Sequence, residues 1–181
     1  MKKLLLVLAL LVLAVPAEAK VWKIDYAKSK LSFTGLQAGR PFGGVFGSWE
    51  GVLDFDPDHT ESAKIDVTIN MASSATGDKQ RDEALPQKDW FDVAAFPKAI
   101  YHVVKLEKVD DMHFEMKGQL TIKGKTHEVS LPFTFMPETA GMRMKGETDV
   151  DRSQFDIGMG EWAGEALVAH KVTIDIDVLM N

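Results

Sequence analysis

Five histidines, two groups of methionines and two Arg–Asp neighbours are the side chains of this sequence best suited to chemistry, and their spacing argues against most of it. His59, His102, His113, His127 and His170 never fall within four residues of one another. Zinc ligands usually come in closer pairs, so no dedicated metal site is expected. The chain has no cysteine, which removes thiol nucleophiles, thiolate ligands and disulfides together. No Gly-x-Ser-x-Gly turn is present to expose a serine nucleophile. Met142 with Met144, and Met112 and His113 with Met116, have the thioether content of copper sites. At spacings of two or four on strands, however, each pair faces one side of a sheet, as lining or core residues do. Gly39, Gly43, Gly44, Gly47 and Gly51 open no helix that could cradle a phosphate and read as bends or bulges. Arg81-Asp82 and Asp151-Arg152 read as local ion pairs. No catalytic residue, cofactor or metal is assigned on this basis.

The elements that must position these groups are strands. Apolar and polar residues alternate along Ala63-Ile65-Val67-Ile69-Met71 and along Val172-Ile174-Ile176-Val178, which is the pattern of half-buried strands. Similar runs cover about 21–26, 29–36, 44–55, 99–107, 112–122, 126–135 and 142–150. Turn signals such as Asp56-Pro57-Asp58, Lys123-Gly124-Lys125 and Thr139-Ala140-Gly141 separate them. One short helix is expected over Asp78 to Leu85, capped by Thr76 or Asp78 and ended by Pro86. The spacing predicts an all-β antiparallel domain of about eight strands. Strands this long favour closure into a barrel over an open sandwich. Ten Phe, four Trp, two Tyr and nine Met would line an apolar cavity well. Composition alone fits a filled aromatic core equally.

Residues 1–19 have the three parts of an export signal: Lys2-Lys3, the apolar run Leu4 to Val15, and Ala17-Glu18-Ala19 as a small-x-small cleavage site. Pro16 breaks the run well short of the roughly 20 residues of a spanning helix. Cleavage after Ala19 would leave one domain, residues 20–181, with no membrane anchor. It would remove Lys2, Lys3 and Glu18 and so take the formal charge from −6 to −7. An acidic domain of this kind repels phosphate backbones and anionic lipid surfaces, which excludes nucleic acid as a natural partner.

The order of motifs resembles the YceI-like family of exported polyisoprenoid-binding proteins over residues 21–180. Trp22-Lys23-Ile24-Asp25 with Ser29-x-Leu31-x-Phe33 is similar to its opening strands. Gly44-x-Phe46, Trp49-x-Gly51 and Leu53-x-Phe55-Asp56-Pro57 follow. Next come Thr76-Gly77-Asp78, Arg81-Asp82-x-x-Leu85, Trp90-Phe91-Asp92-Val93 and Phe96-Pro97. Gly118-x-Leu120-Thr121-Ile122-Lys123-Gly124, Val129-x-Leu131-Pro132-Phe133, Asp151-Arg152-x-x-Phe155-x-Ile157-Gly158 and Gly160-Glu161-Trp162 complete the series. Lys28 stands where the family often has histidine, and the Leu36 to Phe42 stretch departs from the commoner histidine-containing version.

The resemblance implies a lipocalin-like antiparallel barrel in the periplasm, with a long isoprenoid or isoprenoid quinone held non-covalently in an elongated apolar pore. The strand phase then assigns the lining to Phe33, Trp49, Leu53, Ile65, Val67, Ile69, Tyr101, Phe114, Met116, Leu120, Phe133, Phe135, Met142, Met144, Val172 and Ile174. Trp90, Phe91, Phe96, Phe155 and Trp162 would close the ends. Arg81, Asp82, His102 and Arg152 are the candidate head-group contacts. The Gly-Glu-Trp variant is similar to a proteobacterial branch found beside cytochrome b561-type membrane proteins, which implies such a partner, and a homodimer is a further expectation. Two rival readings stay open: a module docking to such a cytochrome through the Gly160-Glu161-Trp162 loop, and an enzyme using His102, or Arg81 with Asp82, on a small apolar substrate.

Overall fold

The alternating pattern folds into a single antiparallel sheet of eleven strand segments in a computed structural model that describes residues 20–181. Residues 1–19, read from the sequence as an export signal, lie outside the described residues. The segments are β1 (Val21–Trp22), β2 (Lys30–Gln37), β3 (Arg40–Phe46), β4 (Trp49–Asp56), β5 (His59–Asn70), β6 (Ser74–Ala75), β7 (Lys98–Lys108), β8 (His113–Ile122), β9 (Lys125–Glu138), β10 (Gly141–Asp151) and β11 (Lys171–Met180). Their order across the sheet is β1-β4-β5-β7-β8-β9-β10-β11-β2-β3-β6.

Every neighbouring pair is antiparallel, and following the alternation around the sheet makes β3 and β4 run in the same direction. They are consecutive in sequence, so together they form one strand that changes neighbours midway. Its first half pairs with β2 and its second half with β5. The sheet therefore closes on itself through the chain. With β3–β4 counted once, and the two-residue β1 and β6 set aside as short flanking pieces, the eleven segments make a barrel of eight strands. The strand read as 44–55 is this one, extended back to Arg40 and bent at Gly47-Ser48. The bend is pinned: Gly47 N–H donates to the Ser73 carbonyl at 3.0 Å and Ser48 N–H to Ser73 Oγ at 3.0 Å.

Two hairpins have the two-residue loops that match strand twist, with both residues at positive φ: Ala38-Gly39 (48° and 74°) and Lys123-Gly124 (51° and 74°). The second of these is the expected Lys-Gly turn. Helix α1 (Lys79–Ala84) is capped by Asp78, whose carboxylate accepts from Arg81 N–H at 3.0 Å. It ends before Pro86, as read, and hydrogen-bonded turns carry the chain on to Phe96.

The two ends of the barrel differ. One end has the short loops at 57–58, 109–112 and 139–140, and there the interior is filled with rings. Trp22, Phe55, Phe114, Phe133 and Phe135 are all buried, with Phe114 stacked on Phe133 at 5.4 Å and Trp22 edge-on to Phe135 at 5.3 Å. The other end holds the Ala38-Gly39 and Lys123-Gly124 hairpins and the two long connections, residues 71–97 and 152–170. These connections bond to one another: Gly158 and Met159 N–H both donate to the Asp89 carbonyl, at 2.7 and 2.9 Å.

Candidate functional site

Below the ring-filled end, the barrel interior opens into a cavity with about 970 Å³ of unfilled space, part of it open to the outside. Its wall presents no polar atom. The polar groups of the lining residues are turned away and satisfied. Tyr101 donates its hydroxyl to the Val129 carbonyl at 2.9 Å and lies 3.3 Å from the Met116 carbonyl. Thr148 donates to the Ser130 carbonyl at 2.7 Å. Burial of Tyr101 raises its phenol pKa well above the ordinary value, so the phenol stays neutral.

Of the side chains assigned to the pore by strand phase, Trp49, Leu53, Ile65, Val67, Ile69, Tyr101, Met116, Leu120, Met144 and Ile174 stand on this wall. The others are displaced along the barrel axis and not onto the outer face. Phe114, Phe133 and Phe135 belong to the ring cluster that fills the far end. Met142 is also at that end, opposite Pro137 and Met180, and Val172 is at the near end opposite Val150. Phe33 lies against Phe46 at 5.1 Å and bounds the cavity without lining it. Several wall residues were not assigned from the sequence: Ile24, Leu31, Phe46, Met71, Ala99, Ile122, Val129, Leu131, Thr148, Val150, Ile176 and Val178. Leu31, Val129, Leu131, Ile176 and Val178 share the phase of the neighbours that were named, so the alternation carried their signal.

The residues expected to close the ends gather at the near end. Phe91 packs behind Phe46 at 6.3 Å, and Trp90 faces Trp162 of the Gly160-Glu161-Trp162 loop at 5.9 Å. Phe155 is buried edge-on to His127 at 5.0 Å.

Of the four candidate head-group contacts, one reaches a pocket. Arg81 lines a second pocket at this end, together with Gln37, Phe42, Trp90 and Trp162. Asp82 does not line it. Its carboxylate accepts from Thr76 N–H at 2.6 Å, the Thr76 hydroxyl at 2.7 Å and Gly77 N–H at 3.2 Å. These bonds hold its pKa below the usual carboxylate value and make it a brace for the turn before α1. His102 lies on the outer face, where its Nδ1 is 2.6 Å from Asp66 Oδ1, because its position in β7 has the phase opposite to Tyr101.

Arg152 is the buried exception, 3% exposed. Its five N–H groups are spent on carbonyls: Nε on Ala169 (3.0 Å), Nη1 on Ile157 (2.6 Å) and Gly158 (2.9 Å), Nη2 on Trp162 (2.6 Å) and Val168 (2.7 Å). Burial lowers its pKa. It organises the 152–170 connection and has no donor left for a ligand.

A model of the YceI-like domain matches residues 22–180. A UPF0312 protein of Pseudomonas savastanoi is 31% identical over 115 residues, which cover 64% of this chain and 57% of that relative's own length. Among solved structures, Burkholderia cenocepacia BcnA is 32% identical with a TM-score of 0.82, covering 86% of this chain and 98% of that one. A domain from Saccharophagus degradans, described as polyisoprenoid-binding, shares the fold at 15% identity and a TM-score of 0.71, over 88% of this chain and 97% of its own. With nearly all of the described barrel matched by the family model, this chain belongs to the YceI-like family.

Proposed function

We propose that the protein is an exported carrier that holds a long isoprenoid lipid non-covalently in the barrel cavity and does no chemistry on it. The observation that carries this reading is a wall of some twenty side chains that presents no polar atom to the space it encloses. Such a space has nothing to offer a polar or charged substrate, and it rewards a long apolar chain by about 25 cal/mol per Å² removed from water. Met71, Met116 and Met144 add flexible surfaces that follow a branched chain. The polyisoprenoid-binding description of the Saccharophagus degradans domain supports the same class of ligand. The export signal read in residues 1–19 supports a periplasmic location. The exposed position of His102, paired with Asp66 on the outer face, favours binding over catalysis through that residue.

The test is native mass spectrometry of the protein purified from periplasm, followed by solvent extraction. A stoichiometric isoprenoid supports the reading. A protein that is empty as isolated, and that takes up no isoprenoid offered in detergent, overturns it.

A further inference from the structure

The barrel wall has a seam that is closed by side chains and not by strand pairing. Along one edge of the continuous β3–β4 strand, β2 is paired as far as Val45, and β1 takes over at Leu53. Residues 46–52 between them have no strand partner on that edge among the described residues; their pairing to β6 and β5 is on the other edge.

Residues 23–29 lie across this seam. Their backbone is tied to β11: Lys23 exchanges hydrogen bonds with Asn181 at 2.8 and 3.0 Å, Asp25 N–H donates to the Leu179 carbonyl at 2.9 Å, and Leu179 N–H donates to Ser29 Oγ at 3.0 Å. The Lys28 carbonyl accepts from Arg143 of β10 at 2.8 Å. Toward β4 the segment reaches with side chains. The Tyr26 hydroxyl accepts from Gly51 N–H at 3.2 Å, where a neighbouring strand would supply a carbonyl, and its ring lies edge-on to Trp49 at 5.0 Å. Ile24 lies beside Gly51, so close that a Cβ there would come 2.8 Å from Ile24 Cδ1.

Ile24, Leu31 and Trp49 all stand on the cavity wall, so the seam borders the cavity directly. Tyr26 does not line it and is 49% exposed, over the outside of Trp49. Tyr26, Ala27 and Lys28 are all exposed, and the turn they form buries little that would resist its lifting.

We propose that this seam is the ligand's side entrance and that residues 23–29 are its door, hinged on β11 and latched on β4 by Tyr26. The inference rests on the cavity being the ligand's site. Lifting Tyr26 and Ile24 away from β4 breaks one hydrogen bond and one ring contact, and it leaves the pairing between strands intact. A long apolar chain then enters between Leu31 and Trp49. Entry from an end would instead thread it past the ring cluster at one end or past Phe33, Phe46 and Phe91 at the other.

The chain has no cysteine, so the test can place two thiols without interference. Ala27→Cys with Glu50→Cys puts one on each side of the seam, both at exposed positions, and a bismaleimide with an internal disulfide joins them while Tyr26 stays in place. The probe is dansyl-labelled farnesol offered in detergent to delipidated protein, and uptake is followed by energy transfer from tryptophan. The cross-linked protein should take up the probe about tenfold more slowly than the same protein after reduction. Tyr26→Ala should take it up and release it about tenfold faster, with equilibrium occupancy unchanged, since both directions pass the same door. An uptake rate unaffected by the cross-link overturns the side entrance while leaving the cavity as the ligand's site. Unchanged rates in Tyr26→Ala, or a lower occupancy with no gain in rate, overturn Tyr26 as the latch. Uncross-linked protein that takes up no probe overturns the cavity reading, and the proposal with it.

Discussion

The tip of the Phe33 ring lies over Gly44, its partner on the adjacent strand, in a space that a single methyl group on Gly44 would occupy. The glycine leaves room for the ring to lie across the inner face of β3 and reach Phe46, 5.1 Å away.

Gly44→Ala is therefore expected to cost about 2 kcal/mol of stability, since the added carbon falls on the tip of the buried Phe33 ring, which must shift. Shrinking that ring should relieve the clash. The double variant Gly44→Ala/Phe33→Leu is expected to be more stable than the two separate losses add up to, by about 1 kcal/mol or more in urea denaturation.

Val67 and Phe133 share an inward phase and should respond differently to the same substitution. Val67 stands on the cavity wall, so Val67→Asp places a carboxylate in the lipid path and should abolish isoprenoid uptake in extraction assays. Phe133 is 3% exposed and stacked on Phe114. Phe133→Asp should instead destabilise the fold, by about 3 kcal/mol or more, and show first as a lowered melting temperature.

Arg152→Met would strand the carbonyls that Arg152 now holds and loosen the 152–170 connection, with an expected loss of about 3 kcal/mol. Arg152→Lys supplies three donors in place of five and should recover only part of it. Hydrogen exchange at Gly158 and Met159, whose amides bond to Asp89, reads the loosening directly.

Tyr101 sets an alkaline limit. Burial holds its folded pKa above the unfolded value of about 10. Above that pH the unfolded chain releases a proton that the folded chain keeps, so stability falls as pH rises beyond about 10. Tyr101→Phe should start lower by about 1 kcal/mol, for the lost hydrogen bond to Val129, yet decline less steeply with alkali. Denaturant midpoints measured from pH 8 to 11 check both.

Glu107 is the acid-side counterpart on the surface. Hydrogen bonds from Lys105 and Lys117 hold its pKa down to about 2. Its contribution is present above the usual carboxylate range and is lost as pH falls toward about 2. Carboxyl NMR titration should find that low value, and Lys117→Met should raise it.

The fold was legible because period-two alternation survives in nearly every strand, and Lys123-Gly124 and Asp78 announce their turn and cap. The bend at Gly47-Ser48 was not read: the inward phase shifts there from even positions (Phe42, Phe46) to odd ones (Trp49, Leu53, Phe55), and the pairing with β2 on one side and β5 on the other shows the change of partner. A separate limit explains the site. Alternation tells inside from outside, so Ile65, Val67 and Ile69 are placed on the wall. It carries no depth along the axis, so Phe114 and Phe133 look identical to them although they fill the far end. Arg152 and Asp82 were legible as polar residues near a site. Arg152 donates to backbone carbonyls and Asp82 accepts chiefly from backbone amides, partners that no pattern of side chains records.

The strand that changes partners has a consequence for when the barrel can form. Thr34 of β2 sits opposite Thr173 of β11, and Lys23 exchanges backbone hydrogen bonds with Asn181. The ring of strands cannot be completed until the last of them has been synthesised, and contacts this distant in sequence form slowly. Before β11 is made, β10 and β2 lack the strand that lies between them, so the apolar cavity is enclosed only when β11 pairs with both.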